Sequence, residues 1–364
     1  MEKYQIIKKL GSGSYGAVWK AFNKETHETV AIKKLLTKYE SPSDKIMIER
    51  EVKSLVFNRH ENIIELKEII NQNNTIFLVF ECMQGSLHDR MNERKKFTTK
   101  FSESEIRDVC FQIFQGLAYM HHNGYIHRDL KPMNVLVLDN VVKIGDFGLA
   151  RETVNDPSPY THFVGTKWYR APEVFLHAKV YDSKVDMWAM GAVMAELFTF
   201  HPLFKGSSDL HVMHKICSVL GAPTQSSWPD GFQLARNMNY RFPDLPGVPF
   251  SEVLPFASEE AVNLTGSLLS WFPCARPTAM EALQHPFFHG CYRVPRNVRL
   301  HDSDPSLPLV FKLALIREWL KKSSSISLKI SGCATAMVTR MDTNHDHDDD
   351  LISMLPEYPF EFMK

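Results

Sequence analysis

The sequence predicts an α+β chain of two lobes, a small β-rich one carrying one helix and a larger helical one. Three observations predict it. Up to about residue 81, short runs with β-branched and aromatic residues alternate with Gly-rich or polar turns. One charged segment with helical apolar spacing interrupts those runs. From Ser86 onward the helical spacing dominates.

Tyr4 to Leu10, Ala17 to Phe22 and Val30 to Leu35 read as the first strands. Ser43 to Phe57 is charged on one side and apolar at Ile46, Ile48, Val52 and Leu55, which is the spacing of a helix. Two further strands are predicted near Leu66 to Ile70 and Ile76 to Phe80. Glu103 to His122 and Lys184 to Phe200 carry the clearest helical periodicity of the second lobe. The longest apolar segment, Met187 to Phe200, is too short to span a bilayer and contains Glu196, so a buried helix is predicted. Between Gly221 and Phe256 lie six of the 20 prolines with little periodicity, the mark of a loop-rich insert. Gln284 to His289 closes the helical part. The expected organisation is one domain over 4–288, with lobes of about 4–83 and 84–288. A polar, irregular and partly disordered tail over 289–364 is expected to follow. Within it Asp342, Asn344 and Asp346 imitate the start of a calcium loop. His347 stands where that loop needs Gly and Ser353 where it needs Glu, so a solvated acidic patch is the reading.

The 364 residues leave room for two or three units at roughly 150 residues each. Apolar residues at 44% and charged ones at 23% exclude a wholly disordered, collagen-like or small disulfide-stapled chain. Lys plus Arg and Asp plus Glu are 42 each, so the basic excess of a dedicated nucleic-acid binder is missing. The six cysteines form no C-x-x-C pair, which argues against zinc-ribbon and thioredoxin-type sites. MEKYQIIKKL places charges where a signal peptide needs an apolar stretch. An intracellular protein of the cytoplasm or nucleus, with reduced thiols and neither membrane nor nucleic-acid partners, is expected.

The chemistry lies in a few short stretches. Gly11 to Gly16 reads G-S-G-S-Y-G, a pattern that also marks dinucleotide-binding folds. Such a fold needs a helix to open at the third glycine, whereas A-V-W-K-A-F continues here as a strand. The glycines therefore belong to a hairpin loop whose backbone N–H groups can approach phosphates; an ordinary Gly-rich hairpin is the plainer alternative. Val30 to Lys33 is a strand that ends in a lysine, and Glu51 follows in the charged helix as a carboxylate able to fix it. His127-Arg128-Asp129-Leu130-Lys131-Pro132-Met133-Asn134 supplies a carboxylate to orient and deprotonate a hydroxyl, a lysine for a phosphoryl group and an amide oxygen for metal. Asp146-Phe147-Gly148 supplies a second carboxylate for Mg²⁺, and Ala171-Pro172-Glu173 completes the order.

On these motifs the sequence resembles the eukaryotic protein kinases over about residues 4 to 288, and the resemblance implies their bilobal fold. Asp129-Leu130-Lys131, with Gly165-Thr166 ahead of Ala171, looks like serine/threonine rather than tyrosine kinases. Trp168-Tyr169-Arg170 and the Pro-rich insert are similar to the group of cyclin-dependent and mitogen-activated kinases. REVKSL, NGYIHRDLKP, PYTHFVGTKWYRAPEV and the HPFF and VPR pairing near the lobe's end look like male-germ-cell-associated-kinase-like enzymes, including plant F-type cyclin-dependent kinases.

The resemblance implies a role for each matching residue. Asp129 is the catalytic base, Lys131 stabilises the transferred phosphoryl, and Asn134 with Asp146 holds Mg²⁺. Lys33 binds the phosphates of ATP and pairs with Glu51. Leu10, Gly11, Ser12, Gly13, Ser14, Tyr15, Gly16 and Ala17 cover the nucleotide. Val18, Ala31 and Leu136 sandwich the adenine before Phe80, and Glu81 and Met83 offer it backbone hydrogen bonds. Thr161 is the activating phosphosite, with Arg50, Arg128 and Arg151 around its phosphate. Ser14 and Tyr15 match inhibitory positions. Thr166 and Arg170 face the protein substrate, Arg170 shaping a pocket for proline after the acceptor, and Glu173 pairs with Arg276. The implied partners are proteins with Ser or Thr acceptors, an upstream activating kinase and a cyclin-like protein. Met133, Gly145, Phe163 and Lys167 depart from the family pattern, where Glu, Ala, Tyr and Arg are usual. Two competing readings are a pseudokinase scaffold, against which Lys33, Asp129, Asn134 and Asp146 speak, and a nicotinamide oxidoreductase, which lacks its βαβ context.

Overall fold

The five strands read from the first lobe form one antiparallel sheet. A computed structural model describes residues 1–13, 16–35, 42–73, 75–153, 166–291 and the backbone of 326–329. The first lobe comprises β1 (Tyr4–Gly13), β2 (Gly16–Asn23), β3 (Thr29–Leu35), α1 (Pro42–Phe57), β4 (Leu66–Gln72) and β5 (Thr75–Glu81). Strand alternation sends successive residues to opposite faces. Ile70 thus joins Tyr4, Ala21, Val30, Ile32 and Val79 in a small cluster on one face. Ile69, Ile76 and Leu78 join Ile48, Val52 and Leu55 of α1 in the main core. The helix that carries Glu51 is therefore seated by its own apolar stripe.

The second lobe begins with β6 (Gly85–Ser86), α2 (Leu87–Lys96), α3 (Glu103–His122) and β7 (Tyr125–Ile126). Ser86 and Ser102 open the two helices with capping boxes closed by Asp89 and Glu105. The hairpin β8 (Val135–Leu138) and β9 (Val141–Ile144) pairs with β6, and β10 (Arg151–Glu152) pairs with β7. Then come α4 (Pro172–Phe175), α5 (Lys184–Thr199), α6 (Asp209–Leu220), α7 (Pro229–Asn237), α8 (Phe250–Val253), α9 (Glu259–Leu268) and α10 (Ala279–Leu283). Every residue of α5 from Val185 to Phe198 is buried, as expected of a helix that is apolar all round. Among the described residues no helix is long and apolar enough to cross a membrane.

Two regions differ from the sequence reading. The insert contains α7 and α8, so it is less loop-like than its prolines suggest. Buried Trp228 anchors it, with Phe242 and Trp271 ring centroids at 6.3 and 5.7 Å. Gly231 is required there, because a Cβ would lie 2.0 Å from the Trp228 ring. The tail, read as irregular, supplies a strand, β11 (Ile326–Lys329), that pairs antiparallel with β4 and extends the sheet order to β1-β2-β3-β5-β4-β11.

Candidate active site

Lys33 and Glu51 meet between the sheet and α1. Lys33 stands on β3, opposite Val18 of β2 and Leu78 of β5. Its ammonium lies 2.6 Å from Glu51 Oε1 and 3.2 Å from Asp146 Oδ1. Burial alone would lower the lysine's pKa, but the two carboxylates outweigh it and hold the group above its ordinary range. Burial likewise pushes the Asp146 carboxyl up, and Lys33, then His127 and Lys131, overcome this and hold it low. The site therefore keeps both charges at neutral pH. A second pair, Lys53 with Glu152, ties α1 to β10 just beyond Asp146.

The loop between β7 and β8 carries Asp129, Lys131 and Asn134. Lys131 Nζ donates to Asp129 Oδ2 at 2.7 Å, and Asn134 Nδ2 donates to the same oxygen at 3.0 Å and to the Asp129 carbonyl at 2.8 Å. Asp186, at the start of α5, accepts from the His127 and Arg128 backbone N–H groups at 2.8 and 2.7 Å. His121 Nε2 lies 2.9 Å from the same carboxylate. Burial opposes the Asp186 charge; His121 and the His127 N–H group more than offset it, so its pKa falls below the usual range. Arg128 (φ 69°) and Asp146 (φ 59°) both adopt left-handed backbone, unusual away from glycine. Each such residue costs roughly 1–3 kcal/mol, sustained only where surroundings over-determine it. Here the Asp186 clamp, the bond from Arg128 Nε to the Leu149 carbonyl and the Lys33 contact do so.

In the glycine hairpin, Gly11 stands opposite Val18, Ser12 opposite Ala17 and Gly13 opposite Gly16. At Gly16 (φ +150°) a Cβ would lie 2.2 Å from the Lys34 carbonyl oxygen, so only glycine fits. Leu10 is exposed beside the loop, while Ser14 and Tyr15 lie outside the described residues. Val18, Ala31 and Leu136 are half-buried on β2, β3 and β8. Gly145 lets Leu136 come close, since a Cβ at 145 would meet Leu136 Cδ1 at 2.9 Å. Lys143 Nζ fixes Glu81 through Oε1 at 2.8 Å, and Met83 packs half-buried against the core. The donor set suits Mg²⁺, a hard cation that takes one or two carboxylates and completes its shell with phosphates and water. Asp146 and the Asn134 amide oxygen would be those protein ligands, and among the described residues no three His, Cys, Asp or Glu gather into a metal cluster.

Thr161, Tyr160 and Phe163 lie outside the described residues. The elements bearing the three expected arginines are brought together. Arg151 on β10 pairs with Ile126, two residues before Arg128, and α1 with Arg50 packs on β10. Thr166 is half-buried, and Arg170 lies under the fields of Asp209 and Asp129 with its guanidinium 5.4 Å from the Phe175 ring. Arg276 forks onto Glu173, Nη1 to Oε1 at 2.6 Å and Nη2 to Oε2 at 2.8 Å. Met133 is exposed between buried Pro132 and buried Asn134. Asp186 went unread in the sequence, as did the bond from Tyr169 OH to buried Glu196 at 2.6 Å. The available signal was the same for both: a carboxylate inside the most apolar helical stretch.

Comparison with known proteins agrees with this geometry. The protein kinase domain family matches residues 4–288. Cyclin-dependent kinase F-4 from Oryza sativa subsp. japonica is 52% identical over 299 residues, covering 82% of this chain and 64% of that protein. Serine/threonine-protein kinase MAK from Mus musculus is 48% identical over 289 residues, covering 79% of this chain and 46% of that protein. Serine/threonine-protein kinase ICK from Mus musculus is 46% identical over 289 residues, covering 79% and 45%. The chain thus spans from about half to two-thirds of the length of these relatives. With a β-sheet small lobe, a helical large lobe and this match across both, the chain belongs to the protein kinase family, in the company of F-type cyclin-dependent kinases and the MAK and ICK serine/threonine kinases.

Proposed function

We propose that this chain transfers the γ-phosphoryl of Mg-ATP to serine or threonine hydroxyls of proteins, with proline preferred after the acceptor. The observation that carries the reading is a pair of side-chain clusters, Asp129–Lys131–Asn134 and Lys33–Glu51–Asp146, joined where the Gly145 N–H beside Asp146 donates to the Asn134 carbonyl at 2.8 Å. Lys131 and Asn134 both hold Asp129 Oδ2, which leaves Oδ1 to accept the proton of the attacking hydroxyl. Lys131 stands beside that carboxylate to neutralise charge on the phosphoryl group in flight. Lys33, fixed by Glu51, takes the non-transferred phosphates. Asp146 and Asn134 would hold Mg²⁺, which would supply neutralisation of the phosphate charge.

Phosphate on Thr161, supplied by an upstream kinase, would bridge Arg50, Arg128 and Arg151 through charge-assisted bonds and set α1. Exposed Ile46 on α1 offers an apolar position to a cyclin-like partner. The names of the MAK and ICK relatives support the serine/threonine class, and the resemblance at Arg170 supports the preference for proline. A Ser/Thr peptide array tests the reading with wild type and Asp129→Asn, both treated with an activating kinase. Wild type should label peptides with proline after the acceptor and the variant none. Mg-ATP binding with no transfer to any peptide would leave a pseudokinase scaffold instead.

A further inference from the structure

The tail strand runs antiparallel along β4, with Ile326 opposite Asn71, Ser327 opposite Ile70, Leu328 opposite Ile69 and Lys329 opposite Glu68. Without it, β4 would be the last strand of the sheet, and an open edge is a row of backbone donors and acceptors ready to template another strand. The stretch that β11 borders is buried and well connected. Glu68, Ile69, Ile70 and Asn71 are all buried. Glu68 accepts from Lys3 Nζ at 2.8 Å and from Tyr4 OH, which fastens the start of β1 to β4. Ile69 shares its core with Ile48, Val52 and Leu55 of the helix that holds Glu51. The sequence of the segment, S-I-S-L-K-I-S, alternates in the period of a half-buried strand. The strand lies beyond the large lobe in sequence yet pairs with the small-lobe sheet.

We propose that Ile326–Lys329 is an intramolecular docking strand for the β4 edge, a strap by which the tail steadies the small-lobe sheet and, through it, the α1 helix. The physical basis is β-augmentation, in which main-chain hydrogen bonds give affinity and alternate positions give specificity. Position 327 is its weak point. It stands opposite buried Ile70, with buried Glu68 two residues along β4 and therefore on the same face. A charge introduced beside that buried stretch must be desolvated for the strand to stay docked.

The test is amide hydrogen exchange across 66–72 and α1 in the full chain, for wild type, Ser327→Glu, Ser327→Pro and Leu328→Pro. Adjacent residues of an antiparallel strand alternate in donating to the partner, so one of the two proline variants removes a ladder bond. In wild type the β4 edge should be protected, and Ser327→Glu and that proline variant should speed its exchange about five- to tenfold. An excess of a peptide spanning 323–331 should restore the protection. Equal exchange in wild type and all variants overturns the proposal, and so does protection that depends on protein concentration, which would assign the strand to a second copy. A parallel phosphotransfer assay, the one arm that rests on the proposed activity, should show slower turnover in the released variants. An inert wild type with a protected edge defeats the activity reading alone, and an active wild type with an unprotected edge defeats this one alone.

Discussion

Lys33–Glu51 in the small lobe and Arg276–Glu173 in the large lobe each bury a cation against a carboxylate at 2.6 Å. Their remaining donors differ. The Arg276 guanidinium spends two bonds on Glu173 and others on the Ser270, Lys184 and Trp271 carbonyls at 2.8, 3.0 and 3.3 Å. Its flat face lies 5.0 Å from the Trp188 ring centroid. Every part of that cation is used, so it can hold the lobe together and bind nothing else. Lys33 instead meets two carboxylates from two different elements, and the Asp146 side chain is 35% exposed. That arrangement holds a cation in place while leaving room for an anion to approach. Saturation by neighbours thus separates a structural pair from a working one more sharply than burial or distance does.

The largest expected effect is on the saturated pair. Arg276→Ala should cost about 3–5 kcal/mol, because it leaves Glu173 charged, buried and alone. Denaturant unfolding reads this directly, and a loss within about 1 kcal/mol of an ordinary surface substitution would break the comparison. On the working pair the effect moves from stability to rate. Lys33→Met and Asp146→Ala should each lower phosphotransfer ~10²–10³-fold, since each removes electrostatic stabilisation of developing charge. Asp146→Ala, which removes a partly exposed carboxylate and leaves Lys33 paired with Glu51, should unfold closer to wild type than Arg276→Ala does. Steady-state rates beside unfolding curves check both halves, and a wild-type rate in either variant would reject its assignment.

Asp186 sharpens the contrast as a carboxylate saturated by N–H donors rather than by a fork. Its folded pKa lies below the unfolded value, so it contributes stability that is present above about pH 4 and lost as pH falls through the folded value. Asp186→Asn should therefore flatten the acid limb of the stability–pH curve. At neutral pH it should cost about 1–3 kcal/mol through its lost charge-assisted bonds. An unchanged acid limb would show that the charge of Asp186 does not contribute to the clamp.

These residues also mark what the sequence made legible. Asp129, Lys131 and Asn134 sit in one contiguous run because the short loop between β7 and β8 presents them together, and Asp146 sits in a second short run just after β9, so a linear reading reaches them. The sheet and α1 were legible as well, since strand alternation and the stripe of Ile48, Val52 and Leu55 are local patterns. Glu51 was legible as a helix carboxylate able to fix the strand-end Lys33 18 residues before it, whereas Glu173 with Arg276 is a contact across 103 residues, which spacing does not encode, and it entered through resemblance. Asp186 acts on backbone N–H groups some 58 residues away, so no partner side chain betrays it. The insert helices stayed hidden because they are short, nine and four residues, and set among prolines, and β11 because a four-residue strand gains its meaning only from β4.

The smallest expected effect isolates burial from geometry. Arg94 Nη2 lies 2.5 Å from Glu105 Oε1, nearly the distance of the Arg276–Glu173 fork. Its side chains are 27% and 40% exposed, against 0% and 5% for the buried pair. Water already solvates both charges there, so forming the pair gains little and salt weakens it further. Single substitutions would blur the answer. Arg94 also lies over the Phe101 ring at 4.7 Å and donates to the Lys100 carbonyl, and Glu105 closes the cap on Ser102. A double-mutant cycle with Arg94→Gln and Glu105→Gln cancels those side effects, provided neither change adds a new contact. The coupling should be about 0.2–1 kcal/mol and shrink in high salt. The matching cycle on Arg276 and Glu173 should give a coupling several-fold larger that salt barely touches. Equal couplings in the two cycles would mean that distance alone sets the strength of these pairs, and the distinction between the saturated and the open cation would lose its basis.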